Sequence, residues 1–401
     1  MKKQILLSAS LFHAMTDAAS VITPMVFPIL YSRQFLITRY SQIGFLSNVG
    51  LLLTFVVQFF VVHLSFRHEY RWLMIGSGLG ICVSTALIPF SGTFGGLLAL
   101  FLLLRVFGSF YHPIIIAWVS KSRSGSGREL DDAMGVQSGS GNAGVFLAFV
   151  SVGFLAQRWN WKVPFYVWAA LSLCLGILGM RTIRGISSMS GRPPRLDARS
   201  WIHSLAGIAK YVPGFFLGGM GWSVTVYFAP SLLNHKFGIP MGQTGLYLAL
   251  WIGLGTITGY GYGVWSRRFG RKRVFLFSLA GAALSLFVIG FASHRTLAIA
   301  GLLAFGGFLL MTYPSLHTFV GSTVPPAGQT QAFSWVSNVQ LVSGAVVTLA
   351  AGFLSDSLGI HFPFILSGIL TLAIFLYYLP RSGEYFGGGA GGPADVGPDG
   401  L

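Results

Sequence analysis

Charge is what this chain of 401 residues has least of: Asp, Glu, Lys and Arg together make up 9% of it, and only 10 residues are acidic. Water-soluble domains carry about a quarter charged residues, so a protein dissolved in the aqueous phase is excluded. Cysteine is nearly absent, with Cys82 and Cys174 alone, both inside apolar runs. That excludes a disulfide scaffold and a thiolate metal centre. Ten-residue stretches of strict apolar and polar alternation are missing, which sets aside a membrane β-barrel. Missing too are a phosphate-cradling glycine loop with its lysine, a G-x-S-x-G elbow and an H-E-x-x-H helix. The sequence therefore signals no enzyme, no resident cofactor and no ATP-hydrolysing module.

What the chain does have is oil, with 53% apolar residues and a mean hydropathy of +0.70. A helix crosses the hydrocarbon with about 20 apolar residues. Twelve such runs have cores near 5–30, 41–64, 72–90, 95–119, 135–157, 163–181, 204–231, 244–266, 273–291, 296–320, 331–355 and 361–380. The first is read as a retained span, being too long and too lightly flanked for a cleaved signal peptide. The expected fold is thus an all-α integral membrane protein of twelve transmembrane helices.

The net charge of +16 reports orientation rather than nucleic acid. With "MKK" placed in the cytoplasm, nineteen of the 26 Lys and Arg fall on the inner face, six on the outer, and Arg105 alone at membrane depth. This is the positive-inside bias of short loops. It predicts a cytoplasmic (inner) membrane of bacterial type, both termini cytoplasmic, and contact with anionic lipid at that face.

The polar stretch "RTIRGISSMSGRPPRLDARSWIH" separates six runs from six. The expected organisation is a bundle over 1–181, a cytoplasmic linker over 182–203 with Trp201 as an interface anchor, a second bundle over 204–380 and a disordered Gly-rich tail over 381–401. The halves repeat at an offset of about 201 residues. "SQIG" at 41–44 overlays "GQTG" at 242–245, "YHPIII" at 111–116 overlays "TYPSLH" at 312–317, and Gln137 overlays Asn338. An offset of six helices preserves orientation, so the two six-helix bundles are related by a parallel pseudo-two-fold repeat with a cavity between them.

On these features the chain resembles the major facilitator superfamily over nearly all of residues 1–380. "GVWSRRFGRKR" resembles the family's basic loop, which makes Gly263, Arg267, Arg268, Gly270 and Arg271 gating-loop candidates; Arg267 stands where the family usually carries an acid. "HLSFRHEYR" after the second run is a more degenerate copy. "RVFGSFYHP" resembles the family's membrane arginine, and "GVQSGSGNAG" its Gly-rich exporter segment without the usual proline. "FHAMTDAASVITPMVFPIL", "GSFYHP" and "SGNAG" look most like the fosmidomycin-resistance branch of drug exporters. The resemblance implies a secondary transporter that works as a monomer, with runs one, four, seven and ten lining the cavity.

Two charges sit near mid-span, Asp17 and Arg105. Each costs about 2.5–3.5 kcal/mol against lipid, so both are expected to face the cavity, within reach of each other. Either they form a permanent ion pair between runs one and four, or Asp17 is a proton-coupling carboxylate and Arg105 an anchor for an anionic group. His13 lies one helical turn before Asp17; with His112 or His317 the pair resembles a divalent-metal site, against the reading that these histidines are hydrogen-bonded to neighbouring helices. His63 lies close to the cytoplasmic end of its run. His112 and His317 flank prolines and mark candidate kinks. His13, His112, Trp222, Tyr227, Tyr313 and His317 are further substrate-site candidates. Asn48, Gln58 and Tyr111 are further polar candidates, and the amides Gln137, Asn142, Asn338 and Gln340 of the fifth and eleventh runs read chiefly as interhelical hydrogen-bonding groups. Gly135, Gly139, Gly141 and Gly144 form a seam expected to let the fifth helix slide against the other half.

Proton-coupled export of a small amphipathic or anionic compound is the leading expectation. A carrier of a divalent metal or nutrient using His13 and Asp17 is the alternative within transport, and a non-transporting receptor or scaffold the alternative outside it.

Overall fold

The computed structural model describes residues 2–65, 67–122, 127–186, 198–324 and 326–386, and every regular element among them is helical. The first half comprises α1 (Lys2–Ser32), α2 (Tyr40–Leu64), α3 (Tyr70–Leu87), α4 (Phe94–Gly108), α5 (Tyr111–Ser122), α6 (Gly127–Arg158) and α7 (Val163–Thr182). The second comprises α8 (Ala198–Ile208), α9 (Val212–Ser231), α10 (Met241–Phe269), α11 (Arg271–Phe291), α12 (Arg295–Thr323), α13 (Pro326–Leu358) and α14 (Phe362–Phe386). Only helices can bury their backbone polar groups within one spanning segment, so a sequence this apolar folds into a helical bundle. Eleven described segments are long and apolar enough to cross a membrane. The 29-residue α10 is the twelfth membrane-length helix, its hydropathy lowered by Gly, Thr and Tyr.

Three boundaries differ from the sequence reading. The fourth run is two helices, interrupted at Ser109–Phe110. Pro113 has no amide hydrogen to continue the ladder and sits in the first turn of α5, where none is needed; Ser109 meanwhile returns its hydroxyl to the Arg105 carbonyl at 2.6 Å. Within the linker, α8 begins at Ala198, and residues 187–197 lie outside the described residues. α14 continues past residue 381 to Phe386, and the rest of the expected tail, residues 387–401, lies outside the described residues.

The two halves meet along two seams, α2 against α13 and α6 against α10. The 201-residue repeat exchanges these seams, and their details match. A Cβ on Gly44 would stand 2.5 Å from the Thr348 carbonyl oxygen and 3.1 Å from the Gly352 Cα, and one on Gly245 would stand 3.2 Å from the Gly153 Cα. Gly44 and Gly245 are the last residues of the two overlaid tetrapeptides, so the repeat places one glycine at each backbone crossing. Helix starts are capped across the same seams. Asp356 of α13 accepts from the Tyr40 amide at 2.7 Å and the Ser41 amide at 3.1 Å, while Gln157 of α6 accepts from the Gly242 amide at 2.7 Å.

These caps lie at the end of the bundle where α1 finishes. A third contact between the halves joins them there. His235, in the π-helical turn after α9, meets the Tyr40 hydroxyl at 2.9 Å and the Ser32 hydroxyl at 3.0 Å, under a Tyr31–Tyr40 stack with ring centroids 4.3 Å apart.

Candidate functional site

Between the halves lies a cavity of about 920 Å³ lined by α1, α2, α3, α4, α5, α6, α9, α10, α12 and α13. Its residues fall in the second half of α2 (Thr54, Gln58) and of α10 (Thr256, Tyr260), but in the first half of α6 (Gly135, Ser138) and of α13 (Ser337, Gln340). Because those pairs run in opposite directions, the cavity is displaced toward the end where α1 starts, away from the caps and the His235 contact.

Asp17, Arg105, His112, Trp222, Tyr313 and His317 all line this cavity, while His13 and Tyr227 stand directly behind its wall. The permanent Asp17–Arg105 ion pair, one of the two arrangements the sequence left open, does not form. Asp17, with 24% of its side chain exposed, meets two histidines instead: His13 Nε2 lies 3.0 Å from Oδ2 and His112 Nε2 lies 3.5 Å from Oδ1. No ion pair between Asp17 and Arg105 occurs among the described residues. The reason is helical phase: His13 is one turn before Asp17 on the same face of α1, and the break before α5 brings His112 round to the carboxylate.

The supports behind this cluster are specific. His13 Nδ1 lies 2.6 Å from the Gln137 carbonyl oxygen, which can only accept, so Nδ1 carries the hydrogen. Tyr111 stacks on the imidazole with centroids 4.7 Å apart, donates its hydroxyl to the Ala9 carbonyl at 2.8 Å and accepts from Gln137 Nε2 at 2.9 Å. Gly141 leaves the space the cluster occupies, since a Cβ there would lie 2.6 Å from both Asp17 Oδ2 and His13 Nε2. Gly144 meets the Ala14 backbone on the same helix. The glycine seam of α6 is therefore divided, in correction of the expected sliding surface. Gly141 and Gly144 seat α1 of their own half, and Gly139 and Gly135 face Tyr260 of the other, whose hydroxyl donates to the Gly135 carbonyl at 3.1 Å.

With Nδ1 protonated, His13 Nε2 and Asp17 Oδ2 would be two lone pairs facing each other at 3.0 Å unless something positive lies between them. A proton on either atom resolves this, giving imidazolium against carboxylate or imidazole against carboxylic acid. The geometry thus sets one proton between His13 Nε2 and Asp17 Oδ2 beside the cavity wall.

Arg105 occupies a different part of the cavity. Its guanidinium donates to the Tyr227 hydroxyl of α9, lies 5.1 Å from the Phe101 ring centroid, and has its Nε without a partner among the described residues. Gln340 Nε2 is likewise without a partner there. Trp222 packs on Trp251 with centroids 5.4 Å apart; the Tyr313 hydroxyl donates to the Gly218 carbonyl at 2.9 Å, and His317 Nδ1 approaches the Tyr313 carbonyl at 2.7 Å, its ring stacked on Phe333. Cationic, hydrogen-bonding and aromatic groups thus share the chamber wall with aliphatic side chains such as Leu51, Leu104 and Leu310.

The predicted gating loop is hardly a loop. Gly263, Arg267 and Arg268 belong to the last turns of α10, Gly270 alone turns the chain at φ 84°, and Arg271 opens α11. The three arginines are exposed and lie outside the cavity.

A family model described as the Major Facilitator Superfamily matches residues 6–260 and 211–393, nearly the whole chain. The chain belongs to the major facilitator superfamily. As a member of that superfamily it is a multi-pass membrane transporter of small molecules and not an enzyme. It is similar to the class B tetracycline resistance protein of Escherichia coli, 27% identical over 165 residues, which is 40% of each chain. Among solved structures it resembles a bacterial homologue of the human lysosomal transporter Spinster in an inward-facing, unoccupied conformation, at a TM-score of 0.80 and 12% identity over 98% of this chain and 99% of that one. A D-xylose–proton symporter aligns at 0.73 and 14% identity over 94% and 96%. The nucleoside transporter NupG aligns at 0.74 and 11% identity over 94% and 98%. Likeness at these identities establishes the superfamily fold.

Sequence reasoning missed Tyr260, Asp356 and His235. Asp356 carried a legible signal, an acid near the end of one span whose partner is a helix start with no acid of its own. His235 and Tyr260 carried none, since only the meeting of the halves gives them partners.

Proposed function

We propose that this superfamily member is a proton-coupled exporter of small anionic amphipathic compounds from the cytoplasm. It is read as belonging to the fosmidomycin-resistance type, working as a monomer in an inner membrane of bacterial type with both termini cytoplasmic. On that orientation the cavity opens toward the cytoplasm and the His235 contact closes the outer end. The basic residues at the inner face, including those around Gly270, contact anionic lipid.

The observation that carries the reading is the cation position formed by Asp17, His13 and His112 beside an anchored arginine. One proton held there offsets the carboxylate; its loss to one side of the membrane and recovery from the other gives the cluster two charge states. Other groups that reach the same chamber are Arg105, Tyr260, Tyr313 and His317. The substrate's anionic group takes Arg105 Nε and Gln340 Nε2, which join the two halves through it, while its apolar body lies on Trp222 and Tyr313. Export is supported by the sequence resemblance and by the resistance protein among the relatives. Reversal of access follows from rocking the halves about this midplane site.

The test is transport in proteoliposomes under an imposed pH gradient, with a panel of aromatic carboxylates and phosphonates and a lumenal pH dye. At least one anion is expected to move against a proton, with coupling abolished in Asp17→Asn and partly kept in Asp17→Glu. Gradient-driven flux undiminished in Asp17→Asn would overturn the reading.

A further inference from the structure

The same cluster has the donor set and the outer supports of a transition-metal site. We infer that His13 Nε2, Asp17 and His112 Nε2 bind one divalent first-row ion of the zinc class, which enters in place of the proton and blocks coupling. Binding of the ion rests on ligand geometry and stands without the proton role assigned above; only the block of coupling rests on that reading.

Each of the three residues offers one ligand atom, and these atoms all lie within 4.8 Å of one another. Tetrahedral zinc with bonds of about 2.0–2.2 Å separates its ligand atoms by about 3.3–3.6 Å. His13 Nε2 stands 3.0 Å from Asp17 Oδ2 and His112 Nε2 3.5 Å from Oδ1, on different carboxylate oxygens, so an ion is accommodated by a turn of the carboxylate and a swing of the half-exposed His112. Two imidazoles and one carboxylate favour zinc, cobalt or nickel over calcium and magnesium, which take oxygen.

The outer contacts are those a metal-bound histidine needs. Gln137 accepts from Nδ1 and so leaves the Nε2 lone pair free for an ion, as metal-ligating histidines do when they donate the other ring hydrogen to a carbonyl. Tyr111 fixes the ring plane, and Gly141 leaves the room that any side chain would remove. Three protein ligands leave a fourth position, and because Asp17 and His112 line the cavity it opens there. Arg105 is engaged by Tyr227 and forms no ion pair with Asp17, so no guanidinium occupies the position.

The experiment uses the full purified chain in detergent, stripped with chelator and titrated with Zn²⁺ by calorimetry and with Co²⁺ by its visible ligand-field absorption. One ion per chain is expected, with affinity that tightens as pH rises, since the ion displaces a proton. Asp17→Asn, His112→Ala and Gly141→Ala are each expected to weaken binding about tenfold or more and to alter the cobalt spectrum. His112→Gln, checked for an unchanged unfolding temperature, guards against loss of fold. An unbound wild-type chain, or cobalt spectra and affinities that are the same in all four variants, would overturn the proposal; the second outcome would assign binding to other histidines. Proton-coupled flux measured in chelator separates this from the functional reading. Flux without metal binding removes the metal site alone, and cobalt binding with flux indifferent to Asp17→Asn removes the proton role alone.

Discussion

Asp356→Ala should open the end of the molecule that is now closed. The Asp356 carboxylate accepts from the first two amides of α2, at 2.7 and 3.1 Å, and it comes from the opposite half. An N-terminal acceptor contributes about 0.5–2 kcal/mol, and a negative charge beside a helix start about 0.3–1 kcal/mol when exposed. Asp356 is exposed, so water replaces part of what is removed. A net loss of about 1.4 kcal/mol follows, borne only by the conformation in which α2 and α13 touch at this end. That amounts to about a tenfold shift in population toward the state open there. Gln157→Ala removes one neutral bond at the matching position of α10, about 0.5–1.5 kcal/mol, and the two sites are distant enough to add. Spin labels on cysteines placed at Phe35 and Leu358, both exposed, with Cys82 and Cys174 replaced, would report the separation of the halves at this end. A second, longer distance should grow in Asp356→Ala, grow less in Asp356→Asn, and dominate in the double variant. An unchanged distance distribution in Asp356→Ala would refute the claim that this cap holds the end shut.

Four further outcomes are expected. Gly141→Ala should cost about 1–3 kcal/mol by overpacking and cut pH-driven flux more steeply than it lowers the unfolding temperature, because its Cβ meets Asp17 and His13 directly. Arg105→Lys keeps the charge but loses the planar fork, so it should raise the KM for anionic substrates about tenfold and leave neutral ones unaffected, read from initial rates in proteoliposomes. Gly245→Val should separate α6 from α10 and give a less thermostable protein, while Val at Gly263, where only the flexible Arg267 end lies near, should not; scanning fluorimetry compares them. His361, just before α14, has its pKa lowered by burial and by nearby Lys236. Its folded value lies below the ordinary 6.5, so its contribution to stability is complete above that pH and lost as pH falls through the window beneath it. His361→Gln should flatten that part of the stability profile.

The halves, the spans and the repeat were legible in the sequence because lipid imposes simple rules on it. Run length measures membrane crossings, and the 201-residue offset between "SQIG" and "GQTG" marked the two glycines where the seams cross. The facing of the two charges was legible too: Asp17 and Arg105 were expected to face the cavity, and both line it. Their partners were not. The sequence placed Asp17 and Arg105 within reach of each other and left their pairing open, whereas α1 turns Asp17 toward His13 and α6, and Arg105 extends past α2 to Tyr227.

What composition and spacing determined by themselves was a twelve-span helical membrane protein in two repeated halves with a polar centre, since a charge in hydrocarbon must find water or a partner; transport was implied by the family resemblance. Which partner each charge has was decided only by tertiary structure. The break at Ser109 that delivers His112, the missing side chain at Gly141 and the carbonyl of Gln137 come from three places in the chain. Their joint effect, an imidazole nitrogen set 3.0 Å from a carboxylate oxygen, exists only once the helices are packed.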